Sequence, residues 1–458
     1  MPILENLVAR EVLDSRGHPT IEVEAWTESG ARGRAIVATG GSVGAHEASP
    51  LRDSDRRRHG GRGVLRAVAL LASEVAPALR GMDAADQSAI DARLIALDGT
   101  PDRSRLGANA ILGASLAAAQ AAAASRGEEL HVHLNRLWRD RLGPGEDAAP
   151  SLPLPMAQVI CGRAHVGRTL DFQDVLAIPV GARDFGEALT MIVEVHRAVG
   201  EVLHKHGHAS HLVGCHGGYG LRFWSNAQAV DYVLEAILTA GMEIGRDVAV
   251  ALDVAATHCQ APGSAAYELT VGRESHDASG MIAMLEHWTR QYPIASIEDG
   301  LGEDDWDGWV ALTERLGPTV QLVGDDLFAA RSDRLRTGID LGAANAVAIK
   351  LGQVATLTET LDAMALARRH GRRTIVAARA GDSEDTTAAD LAVATGAGQV
   401  KLGGTCRSER LAKYNRLLRI GADLGHSARF AGRAALLAPA DGNGEANRLG
   451  PKANEAPR

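Results

Sequence analysis

Three carboxylates each close a short apolar run in the second half of this 458-residue sequence. The run VAVALD ends at Asp253, PIASIED reaches Glu298, and VQLVGDD reaches Asp325. Strand ends converge around a barrel, so these side chains are expected to lie close together. Oxygen ligands without a neighbouring thiolate or imidazole favour Mg²⁺ over zinc, and crowded carboxylates repel unless a cation joins them. The alternative interpretation is that each acid caps the helix that follows it.

Three cationic residues close later runs in the same way. AVAIK ends at Lys350, TIVAAR at Arg379 and QVK at Lys401. A lysine in a barrel mouth can become a general base because its pKa is easily shifted. A metal ion beside such a base stabilises the ene-diolate that forms when a proton is removed next to a carboxylate. The alternative is a structural ion pair between these lysines and the three acids.

The elements that position these residues can be predicted from hydrophobic patterning. TIEVEAWTESGARGRAIV alternates apolar and polar residues around a Ser-Gly turn, which predicts a hairpin near the start of the chain. The stretch LGPGEDAAPSLPLP indicates a linker. After it, short apolar runs alternate with helical segments, which is typical of a parallel sheet buried on both faces and of a (β/α)8-type barrel. The polar segment 438–458 is expected to be disordered.

Composition narrows the class of protein. Hydrophobic residues make up 45% of the chain and the formal net charge is −9, which disfavours binding to nucleic acid or to an anionic membrane. Four scattered cysteines without CxxC spacing fit a reducing compartment, and no secretion signal is evident, so a cytoplasmic location is expected. The uncharged, Ala-rich stretch from Gly107 to Ser125 is predicted to be a buried helix rather than a membrane span.

The chain contains several long motifs, among them EVLDSRGHPTIEVE, LGANAILGASLA, PIASIEDGLGEDDWDGW and GQVKLGGTCRSERLAKYNRLLRI. These motifs resemble those of enolase, phosphopyruvate hydratase, and the similarity runs from about residue 5 to about residue 430. The resemblance implies an α/β protein of enolase type, with an N-terminal α+β capping domain at 1–138, a linker at 139–152 and an atypical (β/α)8 barrel at 153–437. It also implies a homodimer, a small phosphorylated carboxylic acid as substrate, one tight Mg²⁺ site and a second Mg²⁺.

The resemblance also assigns roles to individual residues. It makes Lys350 the base that removes the C2 proton, Lys401 the partner of the substrate carboxylate and Arg379 the phosphate ligand. His165 matches a histidine on a closing loop, and Gln173 a glutamine near the site. The expected metal ligands are Asp253, Glu298 and Asp325 for the tight ion, with Ser42 joining the second one.

The chain departs from the enolase pattern at the acid and around the phosphate. VGCHGGYG stands where enolases have V-G-D-E-G-G, so His216 replaces a glutamate that helps to protonate the leaving hydroxide. Asp174 stands where enolase has a second glutamate. Ala378 and Ala380, on either side of Arg379, replace a histidine and a serine. Adjacent residues of an extended segment point in opposite directions, so Cys215 and His216 are not expected to form a dyad.

Because the departures spare the residues of enolate formation, we expect a divergent enolase. Its catalytic residues would be Lys350, His216 and Asp174, with His216 donating as an imidazolium of ordinary pKa near 6.5. The preferred prediction is an enzyme like the carboxyphosphonoenolpyruvate synthase of phosphinate antibiotic pathways, acting on a phosphonate-bearing acid. The alternatives are phosphopyruvate hydratase of glycolysis and an inactive binding or scaffold protein.

Overall fold

The N-terminal part of the chain is a three-stranded antiparallel sheet covered by helices. A computed structural model describes residues 1–38, 40–41, 44–143, 145–163, 167, 170–261 and 263–436. The predicted hairpin is confirmed as β2 and β3, and β1 pairs with the other edge of β2. In chain order the elements are β1 Leu4–Leu13, β2 Pro19–Thr27, β3 Arg32–Ile36, α1 Leu65–Leu70, α2 Ala76–Leu79, α3 Gln87–Asp98, α4 Ala108–Ser125 and α5 Leu130–Arg139.

The Ala-rich helix α4 packs directly on this sheet, as its uncharged sequence predicts. A Cβ added at Gly33 of β3 would lie 2.1 Å from the carbonyl oxygen of Ala117. Glycine is therefore required there for helix and strand to approach so closely. Most residues of α4 are buried, and no helix in the described part of the chain is long and apolar enough to cross a membrane.

The second part of the chain forms a nine-stranded sheet surrounded by helices. The elements are β4 Leu154–Pro155, β5 Ala157–Cys161, β6 Asp174–Ile178, α6 Phe185–Lys205, α7 Asn226–Thr239, β7 Ala249–Asp253, β8 Tyr267–Leu269, β9 Glu274–His276, α8 Ala278–Gln291, β10 Ile294–Glu298, α9 Trp306–Leu316, β11 Gln321–Gly324, α10 Ser332–Leu341, β12 Ala346–Ile349, α11 Leu357–Arg369, β13 Arg373–Ala377, α12 Thr387–Thr395, β14 Gly398–Lys401 and α13 Ser408–Leu424.

The nine strands lie in the order β4-β14-β13-β12-β11-β10-β7-β6-β5. Only Met156 separates β4 from β5, the strands at the two ends of this order, so the sheet closes almost completely into a barrel. The expectation of a parallel sheet is wrong at one strand, because β6 runs antiparallel to both β5 and β7. Antiparallel neighbours do not need the helical crossover that parallel strands require.

A loop of the N-terminal part reaches over the barrel mouth. The backbone N–H of Ala45 donates to Glu303 at 3.0 Å, and that of Ala48 donates to the carbonyl of Gln353 at 2.9 Å. These contacts place the segment beginning at Gly44 above the carboxyl ends of the strands. The tail expected to be disordered, 438–458, lies outside the described residues.

Candidate active site at the barrel mouth

The three predicted carboxylates converge at the carboxyl ends of neighbouring strands. Asp253 and Glu298 are the last residues of β7 and β10 and lie opposite each other in the parallel ladder. Asp325 follows β11, whose Val323 lies opposite Glu298. All three side chains are buried. Capping does not explain them, because helix α9 is capped by Asp305 and α10 has no side-chain cap.

Two lysines contact these carboxylates from the later strands. The Lys401 Nζ lies 2.5 Å from Asp253 Oδ2 and 2.7 Å from Glu298 Oε2. The Lys350 Nζ forms an ion pair with Asp325 Oδ2, and the other oxygen of Asp325 accepts from Gln353 Nε2 at 2.7 Å. The ion pairs weighed as an alternative are therefore present as two groups, Lys401 with Asp253 and Glu298, and Lys350 with Asp325. The two groups lie close enough to influence each other's charge and form one cluster.

Burial and mutual charge shift the pKa values within this cluster. Burial, together with the charge of Asp253, raises the pKa of Glu298 to about 8. Burial would also raise the pKa of Asp325, but Lys350 and Lys401 lower it to about 2. Burial lowers the pKa of each lysine, yet the neighbouring carboxylates outweigh it and raise both above the usual range. The lysines are thus held as ammonium ions by the acids they contact.

A second group of side chains borders this cluster on the antiparallel edge of the barrel. Cys161 of β5 lies opposite Asp174 of β6, and Asp174 lies opposite Asp253 of β7. The His216 Nδ1 is 2.9 Å from Asp174 Oδ2. Ligand atoms of Cys161, Asp174 and His216 all lie within 4.8 Å of one another, and all three residues are buried. Sequence reasoning missed Cys161, although its place at a strand end was a signal.

His216 lies in a turn, not in the extended segment that the sequence was expected to form. The N–H of Gly217 donates to the carbonyl of Gly214 at 3.0 Å, and the carbonyl of His216 accepts from Gly404 at 2.7 Å. Burial lowers the pKa of His216 well below its usual value, and the charges of Arg410 and Lys401 lower it further. The ordinary pKa expected for His216 is therefore wrong, while its expected role as a proton donor stays a prediction.

Arg379 lies two residues beyond β13, beneath the loop that covers the mouth. Its Nη2 is 2.6 Å from Glu47 Oε2, and both side chains are buried. A Cβ added at Gly40 would lie 2.6 Å from Arg379 Nη2, while one at Gly41 would lie 2.7 Å from the Cβ of Ala380. The loop backbone therefore packs closely against the guanidinium, and Glu47 is a partner that the sequence did not suggest.

Two family models match the chain at the places where the two parts of the fold lie. A model described as the enolase N-terminal domain matches residues 4–134, and one described as the enolase C-terminal TIM barrel domain matches residues 149–438. The chain belongs to the enolase family. It is also 50% identical to a protein named Enolase from Mycobacteroides abscessus over 432 residues, which cover 94% of this chain and 97% of that relative. It is accordingly a carbon–oxygen lyase of the enolase superfamily.

Enolase-family proteins generally depend on Mg²⁺, and the carboxylate cluster of this chain fits that ion. The three acids offer only hard oxygen donors, as Mg²⁺ prefers. The Oε1 atom of Glu298 is buried without a hydrogen-bond partner in the described structure. A buried carboxylate oxygen left in this way is costly unless a cation approaches it. Ser42, expected at a second Mg²⁺, lies outside the described residues.

Two further residues were predicted for this enolase-family site, Gln173 and His165. Gln173 Nε2 donates to Asp253 Oδ2 at 2.9 Å, so this side chain orients one of the three acids. His165 lies outside the described residues. Asp299, which the sequence analysis left out of the site, accepts from the backbone N–H groups of Asp325 and Asp326 at 3.0 and 2.9 Å. It fixes the backbone that presents Asp325.

Proposed function

We propose that this enzyme is a phosphopyruvate hydratase, which converts 2-phosphoglycerate into phosphoenolpyruvate. The observation that carries the proposal is the cluster in which Lys350 and Lys401 contact three buried strand-end carboxylates. The 50% identity to a relative named Enolase, over nearly the whole chain, supports the same reaction. It reverses the preference for a phosphonate-processing enzyme that the substitutions alone suggested.

Asp253, Glu298 and Asp325 would hold Mg²⁺, with Ser42 at a second ion. When bound, Mg²⁺ supplies positive charge that stabilises the doubly charged carboxylate formed after C2 deprotonation. Lys401 and Arg379 would bind the substrate by its two anionic ends, the carboxylate and the phosphate. Gln173 keeps Asp253 oriented, and His165 would contribute a contact to the substrate.

Lys350 would remove the C2 proton. A base needs its neutral amine, so the contact between the Lys350 Nζ and Asp325 must be released before this step. The electron pair of the broken C2–H bond first moves into the carboxylate to form the ene-diolate. It then forms the C2–C3 double bond as the C3–O bond breaks. Hydroxide then takes a proton from the His216–Asp174 pair and leaves as water, so that one water is lost for each phosphoenolpyruvate formed.

His216 and Asp174 would supply this proton in place of two glutamates. Burial is the main cause that lowers the pKa of His216, and two cations, Arg410 and Lys401, lower it further. A substrate carboxylate paired with Lys401 would offset part of that effect, because a nearby negative charge favours the imidazolium. A proton on an imidazole of lowered pKa is also transferred to hydroxide more readily.

One specific observation favours a second candidate, an enzyme of the carboxyphosphonoenolpyruvate synthase kind. The phosphate side of the site is built from small residues around Arg379: Ala378, Ala380 and Gly352, whose added Cβ would lie 3.2 Å from the Arg379 Cδ. Together with the changed proton donor, this favours a substrate with a substituted phosphoryl group and a different leaving group.

The test is to incubate the Mg²⁺-loaded enzyme with 2-phosphoglycerate in D₂O and to follow the C2 proton and the vinyl protons by NMR. Vinyl product at a substantial rate supports the hydratase. C2 exchange without vinyl product would reject it in favour of the second candidate, since deprotonation would work while hydroxide departure fails. Absence of both signals, with Mg²⁺ bound in calorimetry, would reject 2-phosphoglycerate as substrate.

A further inference from the structure

Cys161, Asp174 and His216 form a compact set of sulfur, oxygen and nitrogen donors next to the magnesium cluster. Their ligand atoms lie within 4.8 Å of one another. Around a tetrahedral zinc ion with bonds of about 2.0–2.3 Å, such atoms lie about 3.3–3.6 Å apart. Small side-chain adjustments therefore convert the present contacts into a coordination sphere.

The backbone fixes the three donors independently. Cys161 and Asp174 are directly opposed in the antiparallel β5–β6 ladder, so their Cβ atoms lie on the same face about 4.5–5.5 Å apart. The turn carrying His216 is held by Gly404, which donates to the His216 carbonyl, and by His196, whose Nε2 lies 2.8 Å from the Gly217 carbonyl. Such surrounding contacts are what keep metal ligands in position.

Close packing also directs the thiol into the group. A Cβ added at Gly218 would lie 2.9 Å from the Cys161 Sγ, so the turn backbone covers the sulfur on that side. The Cys161 sulfur lies within 4.8 Å of a carboxylate oxygen of Asp174, whose Oδ2 is 2.9 Å from His216 Nδ1. The sulfur therefore faces the carboxylate and imidazole rather than a purely apolar core.

The chemistry of the donors selects the ion. A thiolate and an imidazole favour Zn²⁺ and related thiophilic ions, whereas Mg²⁺ takes oxygen ligands. The proposed ligands of the neighbouring magnesium site are all carboxylates, so the two sets of ligands differ in the ion they prefer. Three protein ligands also leave one tetrahedral position open, as in zinc sites that admit water or substrate.

We propose that Cys161, Asp174 and His216 form a zinc-binding site, distinct from the magnesium site, that inhibits the enzyme when it is occupied. Zinc on the imidazole and carboxylate displaces the proton that the His216–Asp174 pair holds. The binding of zinc stands on the geometry alone, whereas the inhibition rests on the proposed role of His216 in releasing hydroxide. C2 exchange, which depends on Mg²⁺, uses other residues and therefore continues when zinc is bound.

The experiment titrates Co²⁺, a spectroscopic substitute for zinc, into the full-length enzyme with Mg²⁺ present in large excess. The expected result is one equivalent of cobalt with a thiolate-to-cobalt charge-transfer band in the near ultraviolet. Cys161→Ala should abolish that band. Cys259→Ala is the matched control, because Cys259 is also buried and contacts Arg163 instead of the three donors, and it should keep the band.

Zinc is then added to the Mg²⁺-loaded enzyme while C2 exchange and vinyl formation are followed. Vinyl formation should fall about 100-fold, the scale of a lost proton donor, with C2 exchange little changed. In Cys161→Ala, whatever its vinyl rate without zinc, the addition of zinc should change that rate by less than about twofold, which is small beside a 100-fold loss. Unfolding midpoints and Mg²⁺ affinity of each variant establish that it is folded.

Two outcomes would overturn the proposal: the band is absent from the unmodified enzyme, or it persists in Cys161→Ala. In the second case, loss of the band in Cys215→Ala would assign the thiolate to Cys215. If cobalt binds as expected but zinc leaves vinyl formation unchanged, the inhibitory part is rejected. An enzyme that makes no phosphoenolpyruvate at all, yet shows the band, would instead reject the proposed function and keep the zinc site.

Discussion

The barrel mouth has two sides that differ in how their charged groups are arranged: the parallel side, at the ends of β7 and β10 to β14, and the antiparallel side, at β5 and β6. On the parallel side, three carboxylates and two lysines are paired charge against charge. On the antiparallel side, a single carboxylate, Asp174, lies beside the Cys161 thiol and the His216 imidazole, and burial lowers the pKa of the histidine. The first side suits the stabilisation of a carbanion, and the second suits the handling of one proton. Deprotonation and departure of the leaving group should therefore be separable by mutation.

The largest effect is expected for Lys350→Ala on the parallel side. C2 exchange in D₂O should fall by about 10⁴-fold, the upper range for loss of a general base, and vinyl formation should fall with it. The measurement is the loss of the C2 proton signal by NMR. Lys205→Ala serves as control, because Lys205 is exposed and pairs with Glu235. If C2 exchange survives in Lys350→Ala, the base does not lie on the parallel side.

His216→Ala tests the antiparallel side. Vinyl formation should fall about 10²–10³-fold because the proton donor is lost, while C2 exchange changes little. Both rates come from one NMR time course. An equal fall in exchange and product would contradict the division between the two sides, since it would place His216 in the deprotonation step.

Glu298→Gln tests the contribution of one carboxylate to Mg²⁺ binding. It replaces the carboxylate whose Oε1 atom has no hydrogen-bond partner. Loss of an outer partner of a metal site costs about 10- to 100-fold in affinity, so loss of a ligand should weaken Mg²⁺ binding by about 100-fold or more. Isothermal calorimetry measures this. Glu303→Gln, at a buried glutamate that accepts from Ala45 instead, should leave the affinity nearly unchanged.

The smallest effect is expected at the phosphate side with Arg379→Lys. A lysine keeps the charge but loses the planar guanidinium that grips a phosphate in two places. KM should rise about tenfold, equivalent to about 1.4 kcal/mol, with C2 exchange at saturating substrate almost unchanged. Steady-state kinetics measure KM. Arg407→Lys serves as the control, because Arg407 pairs with Glu409 outside the phosphate side of the site. An unchanged KM would argue that Arg379 does not bind the phosphate.

The parallel side of the mouth could be predicted from sequence because one rule governs it. Apolar runs that end in charge predict strands whose ends meet, and Asp253, Glu298 and Lys401 do end β7, β10 and β14. Gln353, Asp299 and Glu47 were missed because their positions depend on turns and a covering loop, and no periodicity marks such contacts.

The antiparallel side could be predicted only in part. The substitution of His216 was visible, but its environment was not, since the extended segment expected around it is a turn. The reversal of β6 was also hidden, because a fully buried strand has the same apolar pattern in either direction. That reversal is what places Cys161 beside Asp174.

The 2.9 Å contact between His216 and Asp174 has a consequence for the evolutionary paths open to this enzyme. Glutamate at 216 would bring two carboxylates together in a buried place, as the two glutamates of enolases do, and two such groups hold one proton between them. The residue at 216 therefore sets the proton count at 174. The two positions are epistatic: the effect of a substitution at one depends on which residue stands at the other.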